Sequence, residues 1–429
     1  VNPRAFRWTS IAEYWASQGH HIDVVTSWQP GLAENEIRNE VTVYRAGKTV
    51  FQTVRIRLLK ALDWPRVEDR KTGMLSRGFH ARSMIGLIRR ISDHTWKKIH
   101  WPDCECLWYF PAFRKARSLA AKWKYDAVIS VSTPFTSHLI GLRVHSLLPS
   151  ARWLADNGDP FSFHTVESQN NCKLYHKLNF SIEKKVFSSA DQVTVTSQGT
   201  LDKYCFFFPE CAGKMTVIPP LVSFSRDGFD KKPFFEKNGK IKLLYVGNYY
   251  RPVRKPAFLL RVFRMLMTTH LRDRLELHFV GRVRDVMDYF VPYRDLLDSK
   301  KIVLHGMVDH RKALNAMSDA DILVNSGNET SYQVPSKLPD YLAAGKPIIN
   351  FATINDDSTA LFFKNYPLFL NIPDNDLTAE SHDFRRLVDF ISDLPEALDD
   401  NTVETFIQPY TIETIAREYM FRITKPDEG

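Results

Sequence analysis

The stretch Asp321–Phe351 constrains the fold more than any other part of the chain. Asp321–Val324 is a short apolar run fit for a buried strand, and the polar loop Asn325–Gln333 follows it. Val334–Ile349 then reads VPSKLPDYLAAGKPII. Ser336 can cap a helix, because its hydroxyl accepts from a free backbone N–H. Pro339 falls within the first turn, where a missing N–H costs least. Leu338, Tyr341 and Leu342 share one face, and Gly345 can close the helix in the left-handed conformation. Lys346-Pro347 leads into Ile348–Phe351, a second strand. Strand, polar loop, short helix and strand are the parts of an α/β domain.

The same stretch is chemically suggestive. A strand, a polar loop and a helix N-terminus make an anion site, since unpaired N–H groups and the positive end of the helix dipole face the loop. Lys337 adds a mobile positive charge. Asp340, one turn in, cannot serve a phosphate, but its carboxylate can accept two hydroxyl hydrogens from a ribose. Phosphate donors beside a ribose acceptor describe a nucleotide site. An ordinary capped helix is the competing account of the same residues.

With 429 residues, the chain is expected to form two domains of ordinary size. A hydrophobic share of 44% and an aromatic share of 13% suit packed cores and exclude disorder. No apolar run reaches the roughly 20 residues that span a bilayer, and no signal peptide is visible. Five cysteines, Cys104, Cys106, Cys172, Cys205 and Cys211, are odd in number and lack zinc-ligand spacing. Free thiols in a reducing cytoplasm are the expectation.

The net charge of +9 is unevenly spread. Lys48–Trp101 holds 13 Lys/Arg against 4 Asp/Glu, so this block carries the whole surplus. Its cations, among them Arg55, Arg57, Lys60, Arg89, Arg90, Lys97 and Lys98, alternate with apolar residues such as Leu58, Leu59, Ile88 and Ile91. Two amphipathic helices with basic faces suit a membrane surface carrying anionic lipid. A solvated helical face and a nucleic-acid patch are the alternatives, and no nucleic-acid signature supports the latter.

In chain order, Pro3–Gln18 reads as a helix ended by Gly19, and His20–Thr26 as the strand HHIDVVT. Val41–Ala46 is another strand. Beyond the basic block come a helix over Asp103–Lys122, the buried strand Ala127–Val131, and a helix containing His138. Trp153–Asp156 is a strand running into the loop Asn157–Pro160. Asp156 and Asp159 stand where open α/β sheets bind ligands, or else build a turn. Strand Gln192–Ser197, helix Thr200–Phe207 and Val217–Pro220 complete the first half. The second half restarts with strand Ile241–Val246, the turn Gly247-Asn248-Tyr249-Tyr250, the cations Arg254-Lys255 and the helix Ala257–Met267. That order makes a second anion site, aimed at a diphosphate; surface charges are the bland account, and Arg251 is a spare candidate. Strands Leu275–Val280 and Ile302–His305 follow. Asp319-Ala-Asp321 is a D-x-D, read here as structural because it joins a helix end to a buried strand.

The donor stretch resembles the nucleotide-sugar segment of GT-B glycosyltransferases, in particular the large retaining family (family 4-like, group 1) that includes bacterial surface-polysaccharide enzymes. An acidic residue before A-x-G-x-P holds the ribose in that family, and Asp340 stands in that place. Of the family's two Glu separated by seven residues, Asp340 replaces the second and Tyr332 occupies the first. Residues 1–26 resemble the helix–strand opening of GT-B first domains, without the strand that precedes that helix there. Val217-Ile218-Pro219-Pro220 resembles the GT-B hinge.

The resemblance implies a GT-B fold: two Rossmann-like α/β/α domains facing across a cleft, with a basic helical insert in the first. It places an acceptor-binding domain at 1–220, a linker at 221–239, a nucleotide-sugar domain at 240–408 and a returning helix at 409–429. It implies sugar transfer from a UDP- or GDP-linked donor to a hydroxyl of a lipid-linked or polysaccharide acceptor, with retention and without a metal or other cofactor. Gly247, Asn248, Arg254, Lys255, Met307, Val308, Ser336, Lys337 and Asp340 would hold the donor, Met307 and Val308 through backbone contacts to the base. Arg254 and Lys255 would stabilise the leaving diphosphate. His138 or Asp159 would orient the acceptor hydroxyl, with Asp156 beside them. The expected location is cytoplasmic, peripheral on the inner face of the cell membrane. A non-catalytic GT-B subunit, an epimerase or a phosphorylase on the same scaffold are the competing readings.

Overall fold

The computed structural model describes residues 3–47, 99–164, 168–223, 233–249, 251 and 253–424. The basic block is therefore outside the described residues except at its last three positions, and the expected basic helices lie there. The chain divides into two compact units, one of residues 1–7, 196–206 and 217–417, the other of 8–195, 207–216 and 418–429.

The second of these holds two sheets. In one, β1 (Asp23–Ser27), β2 (Asn35–Arg38) and β3 (Val41–Ala46) lie in the order β1-β3-β2, with β1 parallel and β2 antiparallel to β3. The other runs β4 (Ala127–Ser132), β5 (Arg152–Asn157), β6 (Gln192–Val195) and β7 (Met215–Val217) in sequence order. β4, β5 and β6 pair in parallel. β2 was not foreseen. Its sequence NEIR is mostly exposed, pairs among the described residues with β3 alone, and lacks the apolar alternation that marks a half-buried strand.

Helix Tyr109–Ala120 and helix Thr136–His145 share a core of Trp108, Ala112, Ile140 and Val144, with Val25 and Val128 against it. Loops are fixed by buried polar groups. Glu183 is fully buried and accepts from the backbone N–H of Phe161 and Ser162, both at 3.0 Å, which satisfies donors that would otherwise be stranded.

The other unit is built on six parallel strands: β8 (Ile241–Val246), β9 (Leu275–Val280), β10 (Ile302–Gly306), β11 (Ile322–Ser326), β12 (Ile348–Ala352) and β13 (Phe369–Pro373). Their order is β10-β9-β8-β11-β12-β13. An all-parallel sheet must be covered on both faces, and it is. Helix Ala257–Leu266 buries Phe258, Leu259 and Phe263 with Phe279 and Phe351. Helix Leu338–Ala344 buries Leu338, Tyr341 and Leu342 with Leu244, Leu323 and Ile348. The strand order reverses between β8 and β11, and ligands of such sheets bind beyond the carboxyl ends of the strands at that point.

The helix in the donor stretch starts later than its sequence suggests. It spans Leu338–Ala344, its N-cap is Lys337, and no side chain caps it. Ser336 lies in the preceding turn, where the Leu338 N–H reaches the Pro335 carbonyl at 3.2 Å, so its hydroxyl is not the cap. Gly345 closes the helix at φ 66°, ψ 14°, as its sequence position demands. The D-x-D is structural: Asp319 accepts from the Phe235 N–H at 2.8 Å, and Asp321 from the Lys242 N–H at 2.7 Å.

Candidate donor site

The site is assembled at the carboxyl ends of β8 and β11. Gly247 ends β8 with φ 140°, and Gly281 ends β9 with φ 134°. The two are pressed together: a Cβ on Gly281 would stand 2.1 Å from the Gly247 carbonyl oxygen. The Gly247 N–H donates to Val280 and the Gly281 N–H to Gly306, so the turns after three neighbouring strands are tied to one another. Asn248 Oδ1 accepts from the Arg282 N–H at 2.8 Å, which holds the Gly247 turn from its far side.

Two cations meet under this turn. Lys337 Nζ lies 4.0 Å from the Tyr245 ring centroid and 4.9 Å from that of Tyr341. It donates to the Val246 carbonyl at 2.7 Å and to Tyr341 Oη at 3.3 Å. Arg254 donates through Nη1 to Tyr245 Oη at 3.1 Å and through Nε and Nη2 to Asn328 Oδ1 at 3.1 and 2.5 Å. Tyr245 thus touches both cations, through its ring and through its hydroxyl. Among the described residues, every hydrogen-bond partner of the two is neutral. Burial, and then the charge of Arg254, hold the Lys337 ammonium well below the usual lysine range. Such a pair gains most from an anion.

The remaining sequence candidates fall into three groups. Lys255 stands aside from the Tyr245 cluster, 3.4 Å from Glu329 Oε1 in a half-exposed ion pair, and Arg251 pairs with Asp288 on the surface. Ser336 is exposed, and beyond β10 Met307 is 72% exposed and Val308 half-buried. Asp340 is buried, and its carboxylate accepts from the Ser223 N–H at 2.7 Å and from Ser223 Oγ at 3.0 and 2.9 Å. Tyr332 is tied down through its backbone: its carbonyl accepts from Ser197 Oγ at 2.5 Å and Thr200 Oγ1 at 3.0 Å, and Lys203 lies 4.9 Å over its ring.

In the other unit, Asp156 is fully buried and accepts from Trp8 Nε1 and Thr194 Oγ1 at 2.7 Å and from Tyr419 Oη at 2.8 Å. His138 is also fully buried, with Nδ1 2.8 Å from Ser130 Oγ and Nε2 3.0 Å from Asn157 Oδ1. Asp156 on β5 and His138 on helix Thr136–His145 are thus both held in the interior of this unit. Asp159 is half-buried in the loop after β5. Its charge acts on His164, whose imidazole burial pushes down in pKa.

The structure brings together Arg254, Lys337 and Gly247, which the sequence singled out, with Tyr245 and Asn328, which it did not, and it sets Ser223, also not singled out, on Asp340. Tyr245 sits in the apolar run IKLLYV and reads as a core aromatic. Its place two residues before the Gly247 turn was the available signal.

Fold and sequence together define the class: the chain is a glycosyltransferase of the GT-B type. Residues 88–226 match the family described as Glycosyltransferase Family 4. The fold is shared with sucrose-phosphate synthase from Thermosynechococcus elongatus, with a TM-score of 0.60 and 16% identity over 96% of this chain and 90% of that one. A glycosyltransferase from Rickettsia africae gives a TM-score of 0.53 at 14% identity, over 98% of this chain and 95% of that one. WaaG, a glycosyltransferase involved in lipopolysaccharide biosynthesis, gives 0.50 at 12% identity, with the same two coverages. At these identities the likeness is one of fold. No curated protein matches the sequence. Among the described residues, no helix is long and apolar enough to cross a membrane.

Proposed function

We propose that this chain moves a sugar from a nucleoside-diphosphate donor to a hydroxyl of a lipid-linked or polysaccharide acceptor, with retention of the anomeric configuration. The observation that carries the proposal is the Arg254–Tyr245–Lys337 cluster beneath Gly247, two cations with neutral partners at a strand-order switch point. The departing group is a diphosphate, whose negative charge grows as the glycosidic bond breaks. Cations already fixed in place stabilise that charge without reorganising at the moment of reaction. Lys255 adds to the field once the donor draws it from Glu329. Asp340 takes the ribose, whose hydroxyls replace Ser223 as donors. UDP- and GDP-linked sugars both fit this chemistry. Retention follows from the family resemblance, with the leaving phosphate receiving the acceptor proton.

The acceptor side belongs to the two-sheet unit, with Asp159 as its accessible carboxylate. The basic block would hold the protein at the cytoplasmic face of a membrane, next to a lipid-linked acceptor. The proposal suits surface-polysaccharide assembly, and WaaG, which has the same fold, is involved in lipopolysaccharide biosynthesis.

The test is donor turnover with a panel of UDP- and GDP-sugars. In the double variant Arg254→Ala/Lys255→Ala, turnover should fall by roughly a hundredfold or more, while nucleoside binding falls far less. Equal losses in both would remove the transition-state role. A second reading, a GT-B subunit without turnover, draws on Tyr332 at the position of the family's first Glu. Binding of a nucleotide sugar with no hydrolysis or transfer from any donor would favour it.

A further inference from the structure

Arg254 is held by the loop after β11, and that loop is fastened from behind. The Gly327 N–H donates to the Phe351 carbonyl at 2.9 Å, and a Cβ on Gly327 would collide with Asp357 Oδ2, so no side chain fits there. Asp357 is itself fixed: it takes the Thr359 and Ala360 N–H groups at 2.8 and 2.9 Å and Asn350 Nδ2 at 3.1 Å. The next residue of the loop, Asn328, is 4% exposed. Its Nδ2 donates to the Gln333 carbonyl at 3.2 Å, and Ser358 Oγ donates to the same carbonyl at 2.5 Å. With the amide nitrogen committed to that carbonyl, Oδ1 faces Arg254 and receives Nε and Nη2 together. One residue on, the Glu329 N–H donates to the Val253 carbonyl at 2.8 Å, which keeps the two segments in register. The register sets unlike partners side by side: Arg254 meets a neutral amide, and Lys255 meets the Glu329 carboxylate.

We infer that Asn328 is a positioning residue for the transfer: it aims the Arg254 guanidinium at the donor's diphosphate and leaves its charge uncompensated. The inference rests on the donor reading of the Tyr245 cluster and adds a residue to it. A guanidinium presents its N–H groups in a rigid fork, so one acceptor that takes both Nε and Nη2 sets the plane of the group. Tyr245 Oη holds the Nη1 edge at 3.1 Å. A carboxylate in place of the amide would hold the fork equally well, but it would neutralise the guanidinium before the donor arrived. Its second oxygen would also face the Gln333 carbonyl, where only a donor fits. The amide satisfies both sides. A fixed, uncompensated cation is what stabilises charge that grows in the transition state.

The experiment measures affinity for UDP, GDP and their nucleosides by titration calorimetry, together with donor turnover, in Asn328→Asp, Asn328→Ala and Arg254→Ala. Asn328→Asp, the change closest in shape, should lower diphosphate affinity by roughly tenfold or more, the worth of hydrogen bonds to a charged group, and leave nucleoside affinity unchanged. Asn328→Ala keeps the charge and loses the aim. It should lower kcat by roughly tenfold to a hundredfold, while diphosphate affinity falls less than in Asn328→Asp. A residue that merely supports the fold would rank the two the other way, or would move nucleoside and diphosphate affinities together; either result overturns the inference. Nucleoside stoichiometry counts the folded sites, so a variant that folds only in part is still read. Arg254→Ala separates this inference from the reading beneath it. Loss of diphosphate affinity there, with none in Asn328→Asp, removes the role of Asn328 alone. Wild-type diphosphate affinity in Arg254→Ala removes the donor assignment of the cluster, and the inference with it.

Discussion

Asp340 shows how a single carboxylate can be claimed twice. Its position before Tyr341–Pro347 marks it for a ribose, yet both its oxygens receive the Ser223 hydroxyl and one also receives the Ser223 N–H. The two claims are compatible if the ribose hydroxyls displace Ser223, because the carboxylate offers the same lone pairs to either. Asp340→Ala should then weaken nucleotide binding by roughly tenfold or more, the worth of hydrogen bonds to a charged acceptor. It should also lower the melting temperature, since the half-buried Ser223 donors lose their partner. Ser223→Ala leaves the carboxylate in place, and nucleotide affinity should hold or rise. Titration calorimetry with UDP and GDP reads both, and wild-type affinity in Asp340→Ala would end the ribose role. Asp340, Lys337 and Gly345 could be singled out in the sequence because their spacing along and at the ends of one short helix limits what they can do. Ser223, Tyr245 and Asn328 were not, because their partners lie 117, 9 or 92, and 74 residues away and only the fold brings them together.

At the scale of elements, the strands of the six-stranded sheet were legible from their apolar runs, but what their inner face carries was not. LELHFV reads as a buried strand, and it is one, yet it places Glu276 and His278 in the interior. Glu276 accepts from Lys242 Nζ at 2.5 Å and from Lys240 Nζ and Asn238 Nδ2 at 3.0 Å. Burial raises its pKa, but these lysine and amide contacts outweigh that and bring it to about 2. His278 lies between Glu276 Oε2 at 3.3 Å and His305 Nε2 at 2.9 Å. Burial first, then the charge of His305, bring it to about 4, against the pull of Glu276. The sign is the same for both groups. An unfolded histidine takes a proton below about pH 6.5, whereas His278 in the fold refuses it until about 4, so stability drains away as pH falls across that window. Glu276 adds a second loss as pH falls from the ordinary carboxylate range toward about 2. Thermal melts from pH 7.5 to 4 should show a falling melting temperature, and His278→Gln should flatten the decline above pH 4. An equally steep decline in that variant would place the proton uptake elsewhere.

At the scale of the whole molecule, the function proposed above uses positive charge in two ways, and the difference between them makes a further prediction. The surplus of nine charges sits in Lys48–Trp101, and the rest of the chain is balanced. Charges that meet a membrane through solvent are screened by salt: the Debye length falls from about 10 Å at 0.1 M to about 3 Å at 1 M. The cations of the candidate donor site stand in a different setting. Lys337 is enclosed by the rings of Tyr245 and Tyr341, and Arg254 is fastened to Tyr245 and Asn328, so a diphosphate there would meet them at contact range. Partly buried pairs are screened much less than exposed ones. Raising salt should therefore strip the protein from anionic vesicles while nucleotide affinity declines only modestly. Vesicle co-sedimentation and calorimetry along one salt series compare the two directly. A parallel loss would mean that the nucleotide also binds through solvated surface charge, and the Tyr245 cluster would lose its assigned role. Vesicle binding that ignores salt would remove the electrostatic part of the membrane proposal.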